Sequence, residues 1–270
     1  MYKKIIWLAG MPRSGTNWIS QIFASCPDVR LKLCPLFSYE FKNEMNSGST
    51  SAEWRDFFRR VYKTPSEYMD QIYLRKQGRN ILPEFNDRHH SPHNLVIKST
   101  RFHHLNEFII QRNPGLFFVG IVRHPCAALH SWLDNPLEFP ADCDPVHHWR
   151  SGACRKTSEE EFWGFEDWKR VASDFLEYEK NYPNRFVVLS YNQLVQNPKR
   201  VIKPIFERTG LAWTEQTGSF LIESQKRHCD HKRSVFKDKT VMNRWEQALS
   251  KDIAREILSE VRGTPMERFL

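Results

Sequence analysis

The chain has 270 residues, 40 of them basic and 32 acidic, which gives a formal net charge of +8. Hydrophobic residues make up 40% of the sequence and aromatic residues 13%, so the chain can bury a sizeable core. This composition excludes disordered, collagen-like and low-complexity proteins. The longest uninterrupted apolar run is Leu116 to Val122. A membrane-spanning helix needs about twenty apolar residues, so we expect no membrane span.

The N-terminal segment lacks the pattern of an export signal. After Lys4, only the short apolar stretch Ile5 to Gly10 precedes Pro12 and Arg13, whereas a signal peptide needs a longer apolar region and a cleavage site. We therefore expect a cytoplasmic protein. The six cysteines include no C-x-x-C pair, which favours reduced thiols over a disulfide framework or a zinc site. We predict no metal.

Short apolar strands alternate with helical stretches along the chain, a pattern typical of an α/β protein with a central parallel sheet flanked by helices. The predicted strands are Lys4 to Leu8, Leu95 to Lys98, Leu116 to Val122 and Arg185 to Ser190. The predicted helices are Thr16 to Ala24, Ala52 to Tyr62, Pro65 to Lys76, Leu105 to Gln111, Ala127 to Leu133, Phe162 to Asn181, Lys199 to Thr209 and Arg244 to Val261. Because no repeat or long linker divides the chain, we expect a single domain over residues 1–270.

Three stretches interrupt the alternation of strands and helices. Residues Cys34 to Thr50 and Asp134 to Glu160 are long and rich in polar residues and proline, which predicts loops that face a substrate. Residues Gln225 to Met242 are dense in lysine, arginine and histidine. Such a stretch is either a solvated basic loop or part of a binding site for an anion.

The first predicted strand runs into Gly10-Met11-Pro12-Arg13-Ser14-Gly15-Thr16-Asn17-Trp18 and then into a helix. A strand, a glycine-bearing loop and a helix start can bind a phosphate, because the loop amides and the positive end of the helix converge on one anion. Gly10 and Gly15 match the NTPase pattern G-x-x-x-x-G-K-[ST], but Thr16 replaces its lysine. A kinase or NTPase would lack a cation for the β and γ phosphates, so the loop predicts a different donor.

Two segments resemble motifs of one family, the sulfotransferases that use 3′-phosphoadenosine 5′-phosphosulfate (PAPS). Residues Pro12 to Trp18 resemble its 5′-phosphosulfate loop, P-[KR]-S-G-T-x-W. Arg123-His124-Pro125, with Ser131 eight residues after Arg123, resembles its 3′-phosphate motif, R-x-P-x-x-x-x-x-S. An arginine at the end of a strand and a serine about two turns into the next helix can contact one phosphate.

Three weaker matches follow in the order that the family has them. Lys98, in Val96-Ile97-Lys98-Ser99, resembles a lysine delivered near the transferred sulfuryl group. Tyr191 begins a segment that resembles Y-E-D-L-x-x-N-P, whose tyrosine lies beside the adenine. Lys237 and Lys239, ahead of Trp245, resemble a basic loop that closes over the nucleotide.

The resemblance implies a fold similar to the P-loop NTPases and in-line transfer of a sulfuryl group from PAPS to an acceptor hydroxyl, or less readily an amine. The product would be adenosine 3′,5′-bisphosphate, and the motifs require no metal. Arg13 would stabilise the transferring group. Four residues of the loop would bind the 5′-phosphate: Ser14, Gly15, Thr16 and Asn17. The ring of Trp18 would stack on adenine, although a core tryptophan fits its position as well.

The acceptor needs a general base, and the sequence departs here from the best-known members of the family. They carry a histidine where this chain has Thr100, and a threonine does not accept a proton at neutral pH. We predict Glu40 as the base, because neighbouring aromatic residues would raise its pKa; alternatively, it is a surface carboxylate. His103 and His104 are the other candidates.

Two other functions are compatible with parts of the sequence. One is a kinase-like phosphotransferase, which Thr16 disfavours. The other is a non-enzymatic basic protein that binds a polyanion, but the chain has no helix-turn-helix, zinc-finger or RNA-recognition signature, and we expect no nucleic-acid partner. The acceptor is expected to be a hydroxyl-bearing small molecule or a saccharide. Six aromatic residues would form either its pocket or a core: Trp132, Phe139, Trp149, Trp163, Phe165 and Trp168.

Overall fold

The structure is a computed structural model and describes residues 2–78 and 81–270. Its strands are β1 (Lys4–Ala9), β2 (Val29–Leu33), β3 (Asn94–Ser99), β4 (Leu116–Val122) and β5 (Phe186–Ser190). They form one five-stranded sheet in the order β2-β3-β1-β4-β5, and every neighbouring pair is parallel. The predicted α/β fold with a central parallel sheet is confirmed.

Helices lie before, between and after these strands. They are α1 (Thr16–Ala24), α2 (Ser51–Lys63), α3 (Ile72–Gln77), α4 (Asn106–Arg112), α5 (Pro125–Leu133), α6 (Pro145–His148), α7 (Gly164–Asn181), α8 (Tyr191–Gln196), α9 (Pro198–Thr209), α10 (Glu215–Lys226), α11 (Trp245–Ala248) and α12 (Lys251–Val261). Within the described residues, none of them combines the length and the apolar character that crossing a membrane requires.

Both faces of the sheet are buried. On one face, Trp7 and Ile97 pack in a core with residues of α2, α4, α5, α7 and α12. On the other face, Leu8 and Val119 pack with residues of α1, α8, α9 and α10. Covering both faces is what allows strands such as β4 to be apolar throughout, since neither row of side chains meets water.

Strand β1 lies at the centre of the sheet, with β3 on one side and β4 on the other. Leu8 pairs with Lys98 on one side and with Val119 on the other. The chain therefore leaves β1 at the point where the strand order reverses, and parallel sheets bind ligands in the crevice at the carboxyl ends of the strands on either side of such a point. This topology brings the loop after β1, Lys98 and the residues after β4 to one edge.

Strand β2, which reads Val-Arg-Leu-Lys-Leu, is not among the predicted strands. β2 is an edge strand that pairs only with β3, so its charged positions are tolerated there. Lys32 is nevertheless buried, and its Nζ lies 2.8 Å from Asp70 Oδ1. The alternation of apolar and charged residues was the signal that could have predicted this strand.

The helix predicted over Pro65 to Lys76 is wrong in its first half, since α3 begins only at Ile72. Gln71 has a φ of 56°, which ends any helix that would run through it. The Ser66 amide donates to Asp70 Oδ2 over 2.9 Å, and the Met69 carbonyl accepts from the amide of Leu33 over 2.9 Å. Side chains and β2 thus occupy the backbone groups that a helix would need.

Candidate active site

A cleft of about 610 Å³ opens at the carboxyl edge of the sheet, around the loop between β1 and α1. Its size is in the range of sites for small ligands and cofactors. Further walls come from β3, from the start of α8, from parts of the segment 131–163 and from the basic segment 225–244. These elements are far apart in the sequence and meet only because the sheet is parallel.

The loop after β1 requires glycine at position 15. Gly15 has a φ of +88°, and a Cβ there would lie 2.4 Å from the ring of Tyr191. A larger residue would therefore strain the backbone and displace the tyrosine at the same time. The Gly15 carbonyl accepts the amide of Ile19 over 3.2 Å, which begins α1 directly behind the loop. The positive end of α1 thus faces the cleft.

Arg13 connects the first motif to the second. Its Nε donates to Ser131 Oγ over 3.1 Å, and its carbonyl accepts from Arg123 Nη1 over 3.1 Å. Its Nη1 lies 3.7 Å from Glu138 Oε2. The loop after β1 and the residues after β4 are therefore in direct contact, although 110 residues separate Arg13 from Arg123.

Arg123 is buried at the floor of the cleft. Its Nη2 donates to the Val241 carbonyl over 2.8 Å, and its guanidinium carbon lies 5.0 Å from the ring centre of Tyr191. Burial lowers the pKa of this arginine. Its Nε is buried and has no hydrogen-bond partner among the described residues, and a buried charged donor without a partner costs free energy unless an anion satisfies it.

Two aromatic rings form one side of the cleft. The rings of Trp18 and Tyr191 meet edge to face with centres 6.3 Å apart, and both residues are nearly buried. The Trp18 Nε1 donates to Ser224 Oγ of α10 over 2.8 Å, which fixes the orientation of the indole. Both residues line the cleft and also pack in the core, so the two expectations for Trp18 are compatible.

Lys98 projects from the end of β3 into the same cleft. Its side chain is buried, its Nζ donates to Asn17 Oδ1, and Asn17 Nδ2 in turn donates to the Arg233 carbonyl over 3.3 Å. Burial lowers the pKa of Lys98 to about 8, with the charges of Arg233 and Arg13 acting in the same direction. A buried lysine held beside two arginines is expected where an anion is to be bound.

The charges around the cleft are strongly biased. Nine lysines and arginines line it against four carboxylates. The basic residues are Arg13, Lys98, Arg101, Arg123, Arg155, Lys232, Arg233, Lys237 and Arg244. Most of the net charge of the chain is therefore concentrated at one site, and such a concentration of positive charge favours a polyanionic ligand.

Some of the predicted site residues do not line the cleft. Ser14 is a buried residue of the loop after β1, and Lys239 is exposed at the start of a short 3-10 helix outside the cleft. Arg233 and Arg244, which belong to the same basic segment as Lys239, line the cleft together with Lys237. The density of positive charge in this segment was visible in the sequence, but the residues facing inward were not.

Glu40 is exposed and does not line the cleft. Burial raises its pKa, but hydrogen bonds with Ser66, with its own backbone and with Ser38 outweigh that effect, so its pKa lies below the usual value. Of the two aromatic residues next to it, Tyr39 is 98% exposed and Phe41 is buried. The expected rise in the pKa of Glu40 is therefore not found.

His103 and His104 also lie away from the cleft lining. His103 is buried edge to face against Phe162, and burial lowers its pKa to about 3. The ring of His104 stacks against the ring of Phe162, and burial likewise lowers the pKa of His104. Both histidines are packing residues of the loop after β3.

Glu138 is not among the predicted site residues, but it lines the cleft from the segment after α5. Its side chain is 20% exposed, and its Oε2 is buried without a hydrogen-bond partner among the described residues. Glu138 belongs to the long polar segment that was predicted to face a substrate, but nothing in its sequence spacing distinguishes it from the other acidic residues there. Only the folded structure brings it to Arg13.

The six aromatic residues after the second motif form a core rather than a pocket. All six are buried in the cluster beneath α5 and α7. Of the six, Trp163 is the member that also lines the cleft. Other rings also line the cleft, among them Phe37, Tyr68 and Tyr73.

The comparison with family models agrees with this geometry. Residues 6–215 match the model described as the sulfotransferase family. No significant match was found among curated protein sequences.

Solved structures of sulfotransferases share the fold at low sequence identity. The mouse sulfotransferase SULT7A1, complexed with PAP, is 13% identical, with a TM-score of 0.54 over 99% of this chain and 87% of that one. The sulfotransferase domain of the curacin biosynthetic pathway is 15% identical, with a TM-score of 0.52 over 95% and 96%. The sulfotransferase domain of the Synechococcus PCC 7002 olefin synthase is 14% identical, with a TM-score of 0.50 over 98% and 96%. With the family model matching most of the chain and the same fold in these structures, this protein belongs to the sulfotransferase family.

Proposed function

We propose that this protein transfers a sulfuryl group from PAPS to the hydroxyl of an acceptor, by in-line displacement. One observation carries the proposal: the loop after β1 lies around one cationic cleft together with Arg123, Ser131 and Lys98. Arg13 of this loop contacts both Arg123 and Ser131. We further propose that residues 1–270 act as a single domain, because Ile257 of α12 packs in the same core as Trp7 of β1.

The donor site has a separate group of residues for each part of the nucleotide. Gly15, Thr16 and Asn17 lie at the start of α1, where amides and the helix dipole favour the 5′-phosphate. We propose that Arg123, Ser131 and Lys237, which all line the cleft, bind the 3′-phosphate. The unpartnered Nε of Arg123 fits this role, because a phosphate oxygen would satisfy it.

The adenine is expected beside Trp18 and Tyr191, whose rings form the wall next to Arg123. PAPS is also consistent with the PAP bound by the mouse relative, since PAP is the adenosine 3′,5′-bisphosphate that remains after transfer. The chemistry described above needs no metal, because the cations of the cleft can stabilise the charge on the donor.

We propose that Glu138, rather than Glu40, accepts the proton of the acceptor. Glu138 has a carboxylate oxygen free of hydrogen bonds in the cleft and 3.7 Å from Arg13, beside the position of the transferring group. In the reaction, the acceptor oxygen gives its proton to Glu138 and forms a bond to sulfur. The bond between sulfur and the 5′-phosphate oxygen breaks, and Arg13 and Lys98 stabilise the charge that develops on the leaving oxygen.

The acceptor is expected to enter past Phe37, Tyr68 and Leu137, which line the cleft. Arg101 lies over the ring of Phe37 at 3.9 Å and also pairs with the buried Glu161. A wall of aromatic rings with fixed cations suits a hydroxyl-bearing small molecule or a saccharide.

Thermal unfolding in the presence of adenosine 3′,5′-bisphosphate tests the donor assignment directly. A ligand at about 100 times its dissociation constant adds roughly 2.7 kcal/mol to the stability of the folded state. We expect stabilisation by this bisphosphate and a weaker effect of ADP or of ATP with Mg²⁺. Ser131→Ala should weaken the effect of the bisphosphate without changing that of ADP. Stabilisation by ATP alone would instead favour a kinase, and affinity only for long polyanions would favour a binding protein.

Two matched substitutions test the base. Glu138→Gln and Glu40→Gln make the same chemical change, one in the cleft and one outside it. With an acceptor identified from a panel of phenols, alcohols and sugars, we expect Glu138→Gln to lower turnover by 10²- to 10⁴-fold, the usual contribution of a general base. Glu40→Gln should retain turnover. The reverse pattern would return the role to Glu40 and refute the assignment of Glu138.

A further inference from the structure

Three side chains that can bind a metal meet outside the cleft, in the segment between α5 and α7. They are Cys143, His148 and Cys154, and their candidate ligand atoms all lie within 4.8 Å of one another. None of the three lines the active-site cleft, and all are half-buried. This cluster is not recognisable in the sequence, because its spacing of five and six residues matches no familiar zinc motif.

We propose that Cys143, His148 and Cys154 bind a Zn²⁺ ion. Two thiolates and an imidazole form a ligand set that favours zinc, whereas calcium, magnesium and manganese favour oxygen ligands. The fourth position would be filled by water or by the carboxylate of Asp142, whose Oδ1 lies 3.9 Å from Cys143 Sγ.

The distances are compatible with a tetrahedral site after a small adjustment. Bonds of about 2.3 Å to sulfur and about 2.0 Å to nitrogen place the ligand atoms of such a site roughly 3.5 to 3.8 Å apart. The three atoms here are at most 4.8 Å apart. Rotation about the side-chain bonds of the two cysteines can close a difference of about 1 Å without moving the backbone.

The backbone already holds the three residues in place. Asp144 caps α6 by accepting the amide of Val146 over 2.8 Å, and the carbonyl of His148 at the end of this helix accepts the amide of Gly152 over 2.9 Å. Gly152 has a φ of +65°, and a Cβ there would lie 2.4 Å from the carbonyl oxygen of Trp163. The turn that brings Cys154 back to His148 is therefore packed tightly against the start of α7.

A second observation points to a missing partner. The Nδ1 of His148 is buried and has no hydrogen-bond partner among the residues that the structure describes. Buried side-chain nitrogens are almost always paired, so an unpaired one indicates an unseen ligand, either at this nitrogen or at a group that it would orient. A metal bound at the imidazole accounts for the orphaned nitrogen and for the approach of the two thiols.

The site would fix one wall of the cleft. Glu138 lies five residues before Cys143, and Arg155 directly follows Cys154, and both side chains line the cleft. A metal that ties Cys143 to Cys154 would therefore hold the polypeptide that carries these two residues. Because the cluster lies outside the cleft lining, the role we assign to the metal is structural and not catalytic.

The competing explanation is a disulfide between Cys143 and Cys154. All six cysteines are free thiols in the structure, but these two are close enough that an oxidant could join them after a small movement. The two explanations differ in one respect: a zinc site needs both thiols reduced, whereas a disulfide leaves no thiolate to bind the metal.

The test uses full-length protein purified with a reductant, stripped with a chelator and then titrated with Zn²⁺, with metal content measured by mass spectrometry. We expect one tightly bound zinc per chain in the wild type and loss of that zinc in Cys143→Ser and Cys154→Ser. Cys229→Ser is the matched control, because Cys229 is also half-buried but lies outside the cluster. It should retain the zinc.

Co²⁺ titration of the stripped wild type gives a readout that does not depend on any variant folding. Binding to two thiolates in a tetrahedral site should produce intense visible and sulfur-to-metal absorption bands, and Zn²⁺ should displace them. The proposal is refuted if the reduced wild type binds no stoichiometric zinc, or if the two cysteine variants bind it as well as the control does. It is also refuted if peptide mapping finds a Cys143–Cys154 disulfide in protein that binds no zinc after reduction.

Discussion

Replacing Lys98 with methionine should make the protein more stable while removing its affinity for the nucleotide. In the folded chain burial lowers the pKa of Lys98 from 10.5 to about 8. At pH 7 the lysine is charged in the folded and the unfolded state, and the folded state bears the cost of holding that charge away from water. The shift of about 2.5 pKa units corresponds to about 3 kcal/mol. Methionine has a similar length and carries no charge, so it escapes this cost.

The figure of about 3 kcal/mol is an upper value, because Lys98→Met also removes the hydrogen bond to Asn17 and the attraction to Glu138. The pH dependence gives an independent check of its origin. Between pH 8 and pH 10.5 the unfolded chain retains the Lys98 proton and the folded chain releases it, so the unfolded state binds more protons. The free energy of unfolding of the wild type therefore rises as the pH increases from about 8 to 10.5, and this gain is lost again as the pH falls through 8.

Urea unfolding of wild type and Lys98→Met at pH 7 and pH 10 measures both effects. We expect the variant to have the higher free energy of unfolding at pH 7 and the difference to shrink at pH 10. Calorimetry at pH 7 should show that the same variant no longer binds adenosine 3′,5′-bisphosphate with wild-type affinity. A variant that is less stable than wild type at pH 7, with a difference independent of pH, would contradict the argument that a buried charge is being held for the ligand.

The other predictions concern the same cleft. The affinity of wild type for adenosine 3′,5′-bisphosphate should fall about tenfold between pH 7 and pH 9, because the charged fraction of Lys98 falls from about nine tenths to about one tenth. Isothermal titration at several pH values measures this fall in affinity. If the affinity of Lys98→Met falls as steeply with pH as that of the wild type, the pH dependence comes from another group. Gly15→Ala should destabilise the fold by about 1 to 3 kcal/mol, because the new Cβ meets the Tyr191 ring at a positive φ. Equal stability of wild type and Gly15→Ala in urea would contradict the packing described here.

Local sequence was sufficient to predict the elements that we propose bind the nucleotide. The loop at Pro12 to Trp18 follows a strand and begins a helix as expected, because backbone geometry and the helix dipole act within a few residues. Arg123 and Ser131 were also identified from their spacing, and the fold brings both to Arg13. Their relation to one another depends on strand order, which the motifs alone do not contain.

The predictions that differ from the structure depend on contacts between distant parts of the chain. Glu40 was chosen because aromatic residues flank it in the sequence, but Tyr39 points into solvent and hydrogen bonds lower the pKa of Glu40. The helix expected from Pro65 is interrupted, because the carbonyl of Met69 accepts a hydrogen bond from the amide of Leu33 in the edge strand. Lys239 lies outside the cleft, whereas its neighbours in the basic segment line it.

The sequence by itself determined the α/β alternation, the phosphate loop and the cationic character of the protein, since these follow from periodicity, backbone geometry and charge within short segments. The tertiary structure decided which side chains meet. It placed Glu138 beside Arg13, and it brought Cys143, His148 and Cys154 together across a tight turn. The first contact arises because strand order sets the distance between residues that are remote in the chain. The second arises because the loop is packed into a tight turn, which the spacing of the three residues does not encode.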